Sequence, residues 1–382
     1  MTRIVILGAG YTGIAAAIRV AVRTRRHGGR VTLVNPSARF TERLRLHQTA
    51  AGQRLADHSI GDVLAGTGAE FVRGTVTGLD ADRREVALGD GRVLGYDRLV
   101  YALGTVTDTS VPGVAAHAFT YDSHDQAVRL AGRLAELESG TLVVAGGGLT
   151  GIESVTELAE AHPGLHVVLL TRDVPGSMMG PGARAHLDRA LDRLRIEVRT
   201  GAEIIKVLPG GVELAGGELV HADATLWTAG TTGLPLAGDA GLTVDGRGRI
   251  VVDEALRSVS HPEVYAVGDA AAVKQPFGVL HGTCQSGIPS ALHAATALAA
   301  ELRGRRPRPF RFGYVHQPVS LGREDAVIQF TRPDDSPRRW RLTGRAAVAY
   351  KEIVSSSPMA TYRLLKRGLV PVALFRLTAG GR

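Results

Sequence analysis

Two stretches of this chain follow one grammar. IVILGAGYTGIAAA begins at Ile4 and VVAGGGLTGIES begins at Val143. Each reads as a short apolar strand, a glycine turn and the start of a helix. The glycines fall at the same places in both turns: Gly8, Gly10 and Gly13, then Gly146, Gly148 and Gly151. The first glycine permits the tight turn. The second lets a pyrophosphate approach the backbone, the third lets helix and strand pack closely, and the helix N-terminus faces the anion. A turn that binds nothing is the bland alternative for a single copy. Two copies in the same strand–turn–helix setting argue against it.

The surroundings repeat too. A βαβ opening runs from Arg3 into the strand RVTLVN. From about Glu70, FVRGTVTGLD, RREVALGDGRVLGYD and RLVYALGT read as short strands with Gly-Asp turns, a small β-meander. A helix is expected from about Ser123 to Glu138. A second βαβ unit then starts at Thr141 and leads into HVVLLTRD, followed by a second meander ending in LWTAGT. The doubled unit predicts an α/β fold with two Rossmann-like dinucleotide-binding domains, each carrying a β-meander. Past Phe310 the composition shifts to strand-like segments with a turn at Gly322, and the tail from Lys351 reads as helical. The expected division is 1–110 with 231–305, then 111–230, then a small α+β C-terminal domain over 306–382.

A length of 382 residues suits two or three domains. The 44% hydrophobic and 21% charged residues are those of a soluble globular protein. The single cysteine, Cys284, excludes an intrachain disulfide and a cysteine-based metal cage. No apolar run reaches about 18 residues, so no membrane-spanning helix is expected. The first strand starts at Arg3, so no leader is expected, and a cytoplasmic location is the default. The net charge of +8 suits anionic partners: nucleotides, an acidic membrane surface or an acidic redox protein. The plain alternative is the mildly basic surface of an arginine-rich chain. No feature calls for nucleic acid or metal.

About 20 residues past such a loop an acid usually accepts the ribose hydroxyls. The first copy has Asn35 there, whose amide oxygen still accepts a hydrogen bond but brings no charge. The second copy has Thr171 and Arg172. An arginine at this place suits a 2′-phosphate; the alternative is a side chain turned to solvent.

Five motifs in order carry a resemblance: GAGYTG (8–13), GRVLGYDRLVYALGT (91–105), GGGLTGIES (146–154), LWTAGTTG (226–233) and HPEVYAVGDAA (261–271). From Thr2 to about Ala297 the chain resembles the flavoproteins with two dinucleotide-binding domains. These include glutathione-reductase-like enzymes, ferredoxin reductases, apoptosis-inducing-factor-like proteins and type II NADH dehydrogenases. The resemblance implies FAD on the first loop, with Gly8, Ala9, Gly10, Tyr11, Thr12, Gly13, Asn35, Val76, Ala102, Leu103, Gly104, Gly268 and Asp269 as candidates. It implies NAD(P)H on the second, with Gly146, Gly148, Leu149, Thr150, Gly151, Glu153, Thr171, Arg172, Ala229 and Gly230.

The lone Cys284 excludes the branch that needs a cysteine pair beside the flavin. FTERLRLHQTAAG (40–52) is similar to the type II dehydrogenase stretch after the second FAD strand, and implies His47 and Gln48 near the isoalloxazine. HGTCQSGIPSALHAA (281–295) aligns with the Ala-Gln-x-Ala-x-Gln quinone-pocket motif of that family. Gln285 stands on its first glutamine and Pro289 replaces its second. The expected electron exit is a pocket of His47, Gln48, Gln285 and Ile288. The implied activity is hydride transfer from NAD(P)H to FAD, with electrons passing to a quinone or another small acceptor. A ferredoxin-type or tailoring-pathway reductase and an NAD(H)-responsive redox sensor are the alternatives. The basic, apolar tail, with Val370, Leu374, Phe375 and Arg376 interrupted by Pro371, implies peripheral membrane contact. Packing on the protein itself or on a dimer partner is the alternative, so the chain is expected as a homodimer or a monomer.

Overall fold

The computed structural model describes residues 1–369. The tail residues Val370, Pro371, Leu374, Phe375 and Arg376 lie outside the described residues, as does the Cys284 side chain.

Five parallel strands form the first sheet, in the order Val264–Ala266, Arg98–Tyr101, Thr2–Leu7, Gly29–Asn35, Ala69–Arg73. Thr2–Leu7 pairs on both sides, which is why Ile4, Val5, Ile6 and Leu7 are all buried and why its sequence runs apolar instead of alternating. The helices Tyr11–Thr24 and Cys284–Glu301 pack closely together beside it. Both are alanine-rich at the contact, with Ala15, Ala16, Ala17, Ala291, Ala294 and Ala295 buried. Small side chains let the backbones approach.

The second sheet repeats the first without its outer strand: Ala224–Trp227, Gly140–Ala145, Leu165–Leu170, Glu197–Arg199, all parallel. Each sheet carries a three-stranded antiparallel meander. These are Val76–Asp80, Glu85–Leu88 and Val93–Gly95 in the first half, and Ile204–Leu208, Gly211–Leu214 and Leu219–His221 in the second. Two short strands, Thr105–Thr107 and Thr231–Gly233, pair antiparallel where the chain crosses between the halves. The doubled α/β unit read from the sequence is therefore present, with Val264–Ala266 as the one sheet strand that has no counterpart in the second half. The expected helix after Pro112 is His124–Ala135, opened by Ser123, whose hydroxyl accepts from the Gln126 amide.

The C-terminal region is a three-stranded antiparallel sheet, His316–Ser320, Ala326–Thr331 and Pro337–Thr343, followed by the helix Gly344–Lys366. This helix begins seven residues before Lys351. Arg345, Ala346 and Ala347 are good helix formers and extend the expected helix at its N-terminal end. It packs against Tyr11–Thr24, where the Tyr362 hydroxyl donates to the Tyr11 carbonyl at 2.9 Å. Among the described residues no helix is long and apolar enough to cross a membrane.

Candidate active site at two adjoining cavities

Each glycine turn ends in the same backbone geometry. Gly8 has φ +90° and Gly146 has φ +110°, conformations in which a side chain is strained. A Cβ on Gly8 would also lie 2.6 Å from the Ala102 carbonyl oxygen. Gly13 packs on the Gly8 carbonyl and Gly151 on the Gly146 carbonyl, with no room for a Cβ at either. At Gly10 and Gly148 the opposite holds: a Cβ would meet nothing within 4 Å. These two glycines open the helices Tyr11–Thr24 and Leu149–Ala161. Neither N-terminus has a side-chain cap or an acidic residue in its first turn. First-turn amides without a side-chain cap among the described residues, behind a bare glycine, form a cradle for a pyrophosphate, so the residues present fit a dinucleotide at each loop.

A cavity opens over each cradle. The first, about 680 Å³, is lined by Gly8, Ala9, Gly10, Tyr11, Thr12, Asn35, His47, Ala102, Leu103, Gly104 and Asp269. The second, about 540 Å³, is lined by Gly146, Gly148, Thr171, Arg172, Ala229 and Gly230. Trp227, Thr228 and Gly230 line both. This shared wall is fixed: the Trp227 indole donates to the Ala229 carbonyl at 2.8 Å, and the Thr228 hydroxyl to the Ala145 carbonyl at 2.8 Å.

Some expected residues sit elsewhere. Thr150 and Glu153, read as part of the second nucleotide site, line the first cavity. Gly13, Gly151 and Leu149 are packing residues, with Leu149 against the apolar core of the second half. Gly268, at φ +66°, donates its amide to the Ser290 hydroxyl at 3.0 Å and lies behind the first cavity. Val76 opens the first meander and packs against the core, outside the cavity lining. Asn35 does line the first cavity, and its amide oxygen accepts from the Ala9 amide at 3.0 Å, holding the glycine turn to the second strand.

The expected exit pocket needs correction at three of its four residues. Gln285 clamps the C-terminal sheet: its amide nitrogen donates to the His316 carbonyl at 2.9 Å and its oxygen accepts from the Val315 amide at 2.7 Å. Both polar ends are engaged, which holds the Gln285 side chain against the C-terminal sheet and away from the cavity lining. Ile288 packs on the first core, and Gln48 is buried and accepts from Arg45 Nε at 2.9 Å. Only His47 lines the cavity.

Around His47 the structure gathers residues that the sequence reading did not connect. Lys351 Nζ lies 2.6 Å from Glu153 Oε1, which also accepts from the Ser320 amide at 3.0 Å. Burial works against the Glu153 carboxylate, yet Lys351, His47 and the Ser320 amide outweigh it and hold its pKa below the ordinary range. His47 is buried, and its Nε2 has no hydrogen-bond partner among the described residues. Burial above all, with the Lys351, Arg323 and Arg45 charges, drives its pKa down to about 4 against the opposing pull of Glu153. One wall of the first cavity thus carries a neutral imidazole beside a buried ion pair. Asp269 lies in the same cavity. Burial pushes its carboxyl up, opposed by Arg43, Arg249 and His281.

Residues 2–298 match the pyridine nucleotide-disulphide oxidoreductase family. The chain belongs to that family. It is an FAD-dependent NAD(P)H oxidoreductase, and with Cys284 as its only cysteine it works without an intrachain disulfide. An NADH dehydrogenase-like protein of Mycobacterium tuberculosis is 34% identical over 351 residues, covering 86% of this chain and 87% of that protein. A type II NADH:quinone oxidoreductase of Staphylococcus aureus is 24% identical over 389 residues, covering 93% and 94%. NDH2 from Plasmodium falciparum, solved in complex with NADH, superimposes with a TM-score of 0.80 at 15% identity, over 97% of this chain and 99% of that one. That last likeness shows the fold.

Proposed function

We propose that FAD occupies the first cavity and NAD(P)H the second, and that electrons leave the flavin for a quinone. The shared wall of Trp227, Thr228 and Gly230 carries this reading, because it brings two nucleotide cavities into contact. When bound, the flavin supplies a two-electron carrier that the nicotinamide can reduce. The protein's part is placement. The two uncapped helix N-termini bind the pyrophosphates, Asp269 accepts from cofactor hydroxyls, and the fixed wall sets the approach of the two rings. His47, Glu153 and Lys351 give the first cavity a wall that can hold a proton beside a developing negative charge. The name of the Staphylococcus aureus relative supports a quinone as acceptor. Steady-state oxidation of NAD(P)H with a soluble quinone or a ferredoxin-type protein as sole acceptor tests this. Turnover with quinone supports it, and turnover with the protein alone contradicts it.

Arg172 is exposed at the rim of the second cavity, and no hydrogen bond or ion pair engages its guanidinium among the described residues. It stands where a 2′-phosphate would lie. Asp173 and Glu203 line the same cavity and oppose such an anion. The net expectation is a preference for NADPH of about tenfold. Thr171→Glu with Arg172→Ala should reverse it in a comparison of kcat/KM. A wild type that prefers NADH and an inert double variant would contradict the assignment.

The outward face of Gly344–Lys366 exposes Ala346, Ala349, Ile353, Ala360 and Leu364, with Ser356 and Ser357 at its middle and Arg345, Arg363 and Arg367 near its ends. Basic residues near the ends of a face that exposes Ile353 and Leu364 suit an anionic lipid surface, so this helix supports peripheral membrane contact. Ile353→Glu with Leu364→Glu should release the protein from anionic vesicles in co-sedimentation. Unchanged binding would contradict that role.

A further inference from the structure

Glu153, Glu157 and Glu160 stand at i, i+4 and i+7 on the helix Leu149–Ala161, which puts them in a row down one face. The first lines the flavin cavity. The last is exposed, and its carboxylate accepts from the Arg323 amide at 3.1 Å. Between them, Glu157 is 1% exposed. The Gln53 amide donates to one of its carboxylate oxygens, and Arg323 Nε lies 3.8 Å from that same oxygen. The other oxygen is buried without a hydrogen-bond partner among the described residues. Nothing in the binding of either nucleotide uses this carboxyl. A buried acid with one unmatched oxygen, in line between cavity and solvent, is costly unless it carries a proton part of the time.

We propose that Glu157 is a proton relay between solvent and the flavin cavity, serving the proton uptake that accompanies quinone reduction. The proposal rests on the quinone reading above. Overall, NAD(P)H, one proton and a quinone give NAD(P)+ and a hydroquinone. The nicotinamide supplies a hydride, which is two electrons and one proton, and water must supply the remaining proton. In the relay that proton arrives beside Glu160 and Arg323 and binds the unmatched Glu157 oxygen. The O–H bond on Glu157 then breaks as one forms on Glu153, which holds the proton only in passing because Lys351 favours its ionised form, and the proton leaves Glu153 for the acceptor oxygen. Helix positions three and four apart stand about 5–6 Å from each other at their Cβ atoms, within reach of a bridge through water.

The charges facing Glu157 suit this task. They are Arg323 from the turn after His316–Ser320, Glu153 and Glu160 from its own helix, and the Gln53 amide from the loop after Leu46–Ala50; Tyr121 is also near. Glu352, paired with Arg323 at 3.3 Å, moderates the arginine. Burial pushes the Glu157 carboxyl up to about 7; Arg323 and Gln53 pull it down, and Glu160 and Glu153 add to the rise. Such a group both loads and unloads near neutral pH.

Glu157→Gln keeps the size of the side chain and removes its ability to carry a proton. The test follows flavin reoxidation anaerobically, with menadione as an acceptor that takes up protons and ferricyanide as one that does not. With menadione at about pH 7.5 the variant should be slowed about tenfold and show a larger solvent deuterium isotope effect than wild type. Ferricyanide reoxidation and flavin reduction by NAD(P)H should stay near wild type. Glu157→Asp should recover part of the menadione rate. Equal slowing with both acceptors would mark Glu157 as merely structural and overturn the relay, as would a wild-type menadione rate in Glu157→Gln. A wild type that reduces ferricyanide but not menadione would instead refute the quinone reading, and the relay with it.

Discussion

Gly10→Leu should yield a folded, colourless protein that fails to take up added FAD. At Gly10 the backbone has φ −73°, which any residue adopts, and a Cβ would meet nothing within 4 Å. The fold therefore tolerates leucine. The space the leucine would fill is the cradle itself, so the loss falls on the pyrophosphate. We expect affinity for FAD to drop by at least about a hundredfold, or ~2.7 kcal/mol, with the apoprotein's unfolding temperature unchanged. Gly8→Leu is the contrasting variant: positive φ and the Ala102 carbonyl together predict misfolding. Gly148→Leu completes the set, because it should leave the protein yellow while preventing reduction of the flavin by NAD(P)H. A Gly10→Leu protein that retains FAD would remove the first cavity as the flavin site.

Lys351→Met should be the most damaging single change in the wall beside the flavin. Glu153 and Lys351 are both largely buried and lie 2.6 Å apart. Removing one member of a buried pair leaves an uncompensated charge and costs about 3–5 kcal/mol. In the wild type the depressed Glu153 pKa contributes stability above the unfolded value, and that contribution is lost as pH falls through the folded value. Without Lys351 the sign reverses. Burial then raises the folded pKa, so Glu153 destabilises the protein increasingly as pH rises above its unfolded value. Chemical denaturation should therefore show a larger deficit at pH 8 than at pH 5 (values of about this size follow from the ordinary carboxylate range). Adding Glu153→Gln should restore part of the stability. A deficit independent of pH would mean that Lys351 acts through packing alone.

The parts of this molecule that were legible in its sequence are those set by local chemistry. Gly8, Gly10 and Gly13 declare a turn because backbone sterics act over a few residues, and the doubled α/β fold followed from finding the same unit twice along the chain. Asn35, at the end of its strand, lines the first cavity. Contacts made at long range were not legible. Glu153 and Lys351 are brought together only when the C-terminal helix docks, and no periodicity encodes that pairing. Periodicity places Glu153 on one face of its helix, but not which cavity that face meets. Gln285 was misread for the same reason: its position on the helix says nothing of the Val315–His316 backbone that occupies both ends of its amide.

The central claim is that NAD(P)H and a quinone meet the same flavin from two sites. Anaerobic stopped-flow absorbance with sequential mixing tests it most directly. The flavin band should bleach on mixing the purified holoprotein with NAD(P)H, then recover on addition of a soluble quinone. Recovery should be faster with quinone than with oxygen, and Gly148→Leu should block the bleaching step alone. A flavin that NAD(P)H does not bleach, or that stays bleached in the presence of quinone, would contradict the account.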